Sequence, residues 1–340
     1  MSGTDSGTPG FRLHPLHGIH EPTHGTPRRP PGSVRRTSSI DMTRDPGSMD
    51  PVYLSGRARD LQTAGDGTTT ETGRARLEAT IEMIARVVHH LEVEPAVANM
   101  HLVGAPAMSG FRAAVDKAAP ELRSRRDLRY TLLDDVPVAT LVSGHALSAS
   151  GALGNATKSG YLPVADQCAG FVTGGLLMTS FKSGDPAVVT GPTAPALEDP
   201  ADSLAWHDMT ALPIHGMRRR RRLDVHQGSD GPEISIDAMF RDSYVRADGT
   251  ETIIHEYTLD ASADADTGII LSSKAVPRVL PWQECPGAVA SATQIVGMRL
   301  DELGTRVRQE LFGTSTCTHL NDLLRSLADA AALIPLLHTD

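Results

Sequence analysis

Residues 218–275 limit the fold of this chain more than any other stretch. Five consecutive arginines, Arg218 to Arg222, lead into Leu223-Asp224-Val225. Ile234 to Phe240 then alternates apolar and polar residues, the period of a half-buried strand. Asp248-Gly249 is a tight-turn pair, and Thr252 to Leu259 supplies the returning strand. Gly268 to Lys274 adds another. A chain with this centre must build an antiparallel sheet and cover it.

Earlier residues repeat the theme on a smaller scale. Ser39 to Met42, then Val52 to Leu54, then Ala58 to Leu61 read as two short strands around a turn at Asp45-Pro46-Gly47. An Arg-rich lead, an apolar-Asp-apolar triplet and a later Arg-Asp pair occur twice: Ile40-Asp41-Met42 with Arg59-Asp60, and Leu223-Asp224-Val225 with Arg241-Asp242. This echo suggests a duplicated strand pair. Leu77, Ile81, Ile84, Val88 and Leu91 fall at helical spacing, so Arg74 to Glu92 is expected to be an amphipathic helix ended by Pro95. Phe111 to Ala119 reads as a shorter helix, and Leu132 to Ser143 as a buried helix or strand. Three helical segments close the chain, starting at Cys285-Pro286, Leu300 and Thr318. The expected class is α+β: antiparallel hairpins packed against helices, with a C-terminal helical segment.

At 340 residues and 40% hydrophobic content the chain can bury a full core. Residues 1–33, rich in Gly, Pro, Thr and His, are expected to form a disordered arm, with His14, His17, His20 and His24 solvated. A single domain is expected over 34–338, with 64–205 as a large helical and loop insertion. Three cysteines in irregular spacing point to reduced thiols rather than a disulfide scaffold, which suits the cytoplasm. No apolar run is long enough to span a bilayer, and no apolar leader is evident. A net charge of -9, few aromatic residues and no binding motif argue against nucleic acid as a partner of the arginine run. Alternation would leave no more than three of these arginines on one face, salt-bridged or solvated. The Gly170 to Leu176 loop fits neither common phosphate-binding pattern.

The candidate chemistry gathers near two predicted helix starts. Pro286 favours the first helical position, which makes Cys285 the expected N-cap, and Cys317 and His319 flank the last helix. A helix N-terminus stabilises a thiolate. One reading takes Cys317 or Cys285 as nucleophile with His319, His255 or His207 as base. A second takes Cys285, Cys317 and His319, with His255 as a further ligand, as a zinc or iron site. A third is a regulatory disulfide, and the structural reading is that the thiols are small buried hydrophobes. His255 and Tyr257 are expected on one strand face and Glu256 on the other. Arg57, Arg59 and Arg241 are the candidates for holding a carboxylate ligand.

These residues also carry a family resemblance. Arg35-Arg36, Gly56-Arg57-Ala58-Arg59-Asp60-Leu61, His255-Glu256, Glu284-Cys285-Pro286, Gly297 and Gly313 through Cys317-Thr318-His319-Leu320 resemble the bacterial family known as domain of unknown function 2889. The resemblance covers roughly a third of the chain, and residues 64–205 look like an elaboration of longer, actinobacterial-type members. It implies Asp60, His255, Cys285, Cys317 and His319 as the site, with Asp60 orienting a histidine. Members occur beside catabolic enzymes for aromatic or acyl compounds. The resulting expectation is a small-molecule enzyme of hydrolase or lyase type acting on an organic acid or acyl compound. The alternative is a non-catalytic ligand- or metal-binding protein.

Overall fold

The computed structural model describes residues 18–152, 164–184, 188–228 and 232–338. Eight strands form one antiparallel sheet in the order β4-β3-β2-β1-β5-β6-β7-β8. They are β1 (Ser33–Thr43), β2 (Val52–Thr63), β3 (Thr69–Glu82), β4 (Val87–Glu94), β5 (Met217–Gln227), β6 (Glu233–Val245), β7 (Glu251–Asp264) and β8 (Ile270–Val279). Each set of four is an up-and-down meander, and the two meet where β1 pairs antiparallel with β5. The α+β expectation therefore holds, and its C-terminal helical segment lies on the sheet.

The echo in the sequence is a repeat in space. Arg35 faces Asp224 across the seam and Arg218 faces Asp41, each through a two-pronged salt bridge. One strand further out, Arg36 grips Asp60 and Arg219 grips Asp242. Both meanders carry a β-bulge directly after that aspartate. The two halves are thus related by an approximate two-fold axis through the β1–β5 seam.

Alternation divides the arginine run between the two faces of the sheet. Arg219 and Arg221 reach Asp242 and Asp135 beneath the helices, while Arg218, Arg220 and Arg222 reach Asp41, Glu198, Asp224 and Asp237 on the other side. All five arginines are buried.

Between the meanders lie α1 (Phe111–Ala118), α2 (Pro120–Ser124), α3 (Leu128–Val142), α4 (Gly144–Ala149) and α5 (Leu176–Lys182). A 3-10 segment, Cys285–Ile295, then α6 (Leu303–Glu310), α7 (Thr318–Ser326) and α8 (Ala330–Leu333) follow β8. α3 packs on β1, β2 and β3, and α7 packs on β6 and β7. Leu54, Leu77, Leu132, Leu133, Phe240, Leu259, Leu320 and Leu324 belong to the one large core between these helices and the sheet. The opposite face is covered by extended segments around residues 19–30 and 189–210, with Leu197, Ala205, Trp206 and Met239 as a small second core.

Three expectations are corrected. Arg74 to Glu92 is not a helix but most of the β3–β4 hairpin. Leu77 and Ile81 are four apart, a spacing shared by both periods, and Ala75 and Ala79 complete a buried alternating row. Ile84, which the helical pattern required inside, sits exposed in the turn. For the same reason residues 64–205 are not wholly an insertion, since β3 and β4 extend the sheet itself. The described part of the N-terminal arm, from Gly18, is packed as well. Ile19 is fully buried, and backbone bonds join Leu280 to Ile19 and Glu21 to Arg278 along the β8 edge. A lone extended strap shows no apolar period, so the sequence pattern carries no sign of it. His14 and His17 lie outside the described residues.

Candidate functional site

Asp242, His255 and His319 come together beneath the second half of the sheet. Asp242 ends the regular part of β6, and the bulge after it brings Asp242 opposite His255 on β7. His255 Nδ1 lies 3.2 Å from Asp242 Oδ2. His319, in the first turn of α7, stacks on His255 with ring centroids 3.7 Å apart. Phe240 supports the outer face of His319 at 6.3 Å. One ligand-type atom from each of the three residues lies within 4.8 Å of the other two.

The electrostatics separate the roles. Burial alone would raise the Asp242 carboxyl, but the Arg219 guanidinium, aided by His255, holds it well below the usual carboxylate range. Asp242 is therefore an anion in a fully buried position. Burial, reinforced by the charge of His255, pushes His319 down to about 3 and keeps its imidazole neutral at physiological pH. A neutral imidazole retains a free lone pair, which suits either a base or a metal ligand.

The predicted residues sort into three places. His255 and His319 converge. Cys285 and Cys317 sit nearby but in the apolar interior, together with Tyr257 and Cys168. Burial pushes the Cys317 thiol up to about 11 and Cys285 well above 9, the opposite of what a nucleophile needs. Cys317 is the N-cap of α7, whereas Cys285 falls one residue inside its segment and Glu284 takes the cap position. All three thiols are free. Neither cysteine shares the Asp242–His255–His319 cluster.

Asp60 is in the other half of the molecule. It pairs with Arg36, and the residue opposite it on β3 is Gly73, where the second half has His255. Beside Gly73 stands Leu128, the first residue of α3, 3.0 Å from where a Cβ would sit. Asp60 therefore orients no histidine, and its repeat counterpart Asp242 does. Arg57, Arg59 and Arg241 point to the opposite face. They donate to the carbonyls of Asp208, Leu204 and Pro195 and, for Arg241, also to Glu256 and the Thr23 carbonyl. Loop backbone fills the place where a carboxylate ligand was expected. His207 is on that face too, held by the Thr37 and Ser39 hydroxyls and pushed down to about 3, chiefly by burial. Glu256 faces away from His255 and Tyr257, as alternation requires. At α5 the first amide, Leu176 N, donates to the Glu284 carboxylate at 2.7 Å, so a side chain of the protein takes that helix start.

Two residues of the site went unnoticed in the sequence. Arg219 was hidden in the arginine run. Asp242 was visible in the repeat, but its pairing with His255 depends on the bulge. A regular hairpin about Asp248-Gly249 would put Asp242 opposite Ile254 and turn it away from His255.

No curated protein matches the chain. A crystal structure of lipopolysaccharide binding protein aligns with 94% of this chain and 79% of its own at 6% identity, with a TM-score of 0.12, which carries no structural argument. No helix among the described residues is long and apolar enough to cross a membrane. The family model described as "Protein of unknown function (DUF2889)" matches residues 217–333, from the first residue of β5 to the last of α8, and so takes in the half that holds Asp242, His255 and His319.

Proposed function

We propose that Asp242, His255 and His319 form a mononuclear divalent-cation centre and that the protein is a metal-dependent enzyme acting on a small organic acid or acyl compound. The observation that carries this reading is the convergence of three ligand-type atoms within 4.8 Å from β6, β7 and α7. One carboxylate and two imidazoles suit zinc or iron(II). The ionised Asp242 and neutral His319 are already in the protonation states that ligation requires. Arg219 holds Asp242 from behind, the kind of support that fixes a ligand's orientation. A cation here would polarise a substrate carbonyl or activate a bound water for hydrolysis or elimination.

The 3.2 Å contact between His255 and Asp242 also favours a second reading. In it the pair works without metal, Asp242 orienting His255 as a general base. Metal analysis separates the two. Purified protein dialysed against zinc or iron(II) is expected to retain about one equivalent, and His255→Ala and His319→Ala to lose it. Asp242→Asn is expected to weaken binding at least tenfold. Wild-type protein that retains no metal while remaining folded rejects the centre and leaves the Asp–His pair.

A further inference from the structure

A third histidine contacts β6 close in sequence to Asp242, and the proposed centre does not use it. His145 is the second residue of α4. Its Nε2 is sealed from solvent and has no hydrogen-bond partner among the described residues. A buried ring nitrogen without a partner is costly, and such groups persist where a ligand or water completes them. Its surroundings are specific. The ring meets Tyr244 edge-on at 5.1 Å, and the Tyr244 hydroxyl is fixed by His215 Nδ1 at 2.7 Å. Tyr244 lies on β6 two residues beyond Asp242. Burial, with a smaller contribution from His255, keeps His145 neutral, its pKa lowered to about 4. Two rings and a strand thus hold an unpartnered ring nitrogen on the helix-covered side of β6.

His145 falls outside the group whose ligand atoms all lie within 4.8 Å of one another. Its link to the cluster runs through Tyr244, whose ring it meets and which stands on β6 two residues from Asp242. Resting on the metal reading above, we infer that His145 Nε2 accepts a hydrogen bond from the water molecule that the metal carries, holding that water for the reaction. A metal–oxygen bond of about 2 Å followed by a hydrogen bond of about 2.8 Å sets the spacing expected of such a second layer. The repeat sets the site apart in the same way, because the first half offers Gly73 and Leu128 where the second offers His255 and His319.

The test uses the full chain loaded with cobalt(II), whose visible spectrum reports its ligands, and azide as a competitor for the water position. The His145→Ala variant is expected to hold cobalt as the wild type does, with azide affinity raised about 3- to 10-fold, because the displaced water has lost one hydrogen bond. His145→Gln, which can still accept, is expected to return towards the wild-type value and guards against a folding defect in the alanine variant. If His145→Ala loses cobalt as completely as His319→Ala, the residue is a ligand and the inference is wrong. If cobalt is held and azide affinity is unchanged, it is also wrong, while the metal centre stands. If the wild type binds no cobalt, the centre itself fails and the inference falls with it.

Discussion

Arg241 and Arg57 show how differently one residue type behaves on this sheet. Arg241 is 2% exposed and binds Glu256, itself fully buried, and two backbone carbonyls. Removing it strands a buried carboxylate. Arg241→Ala is expected to cost about 3–5 kcal/mol in urea unfolding. Arg57, whose bond to the Asp208 carbonyl is exposed, should cost less than about 1 kcal/mol when replaced by alanine. Equal losses would mean that the Arg241–Glu256 pair contributes nothing beyond surface contact. At this scale the sequence was legible for residue type and strand face. It placed His255, Tyr257 and Glu256 on their proper sides and divided the arginines. It could not show partners, since a guanidinium aimed at a ligand and one aimed at a loop carbonyl are spelled alike. Arg59 and Arg241 proved to be the second kind.

Among the elements, strands were readable wherever a turn pair bounded them, and β6 and β7 followed the Asp248-Gly249 signal. The β3–β4 hairpin hides behind a helical spacing because alanines carry half of its buried row. The three closing helical segments begin at Cys285, Leu300 and Thr318 as expected, except that Glu284 rather than Cys285 caps the first. Glu284 has a second task in capping α5 through Leu176 N. Glu284→Ala is therefore expected to destabilise the protein by about 1 kcal/mol, read as a lowered midpoint in denaturant, with hydrogen exchange rising first in residues 176–182. Unchanged exchange there would show that α5 is held by packing alone. The site depended on an element too subtle for periodicity, the single-residue bulge after Asp242. A bulge moves every later side chain to the other face and leaves no compositional mark.

Among the described residues, three histidines are held neutral by desolvation: His145 with a pKa of about 4, and His207 and His319 of about 3. Their unfolded counterparts titrate at about 6.5. Below that pH the unfolded chain takes up protons that the native protein refuses, so stability falls as pH falls and is level above about 7. In metal-free protein each is expected to cost about 2 kcal/mol between pH 7 and pH 5. Urea titrations at the two pH values measure the sum, and His207→Gln should reduce the loss by its own share. A profile that is flat, or rises on acidification, would show that these rings are not buried in neutral form.

The β1–β5 seam sets how far the two halves of the sheet can differ. Two meanders joined antiparallel across one strand pair have the geometry of a symmetric dimer with a continuous sheet. Here one chain supplies both halves, so their sequences need not be alike. One half carries the histidines, and the other has Gly73 and Leu128 in the corresponding places. The seam thus does within one chain what a two-fold interface does between two, without requiring both sides to carry the same residues.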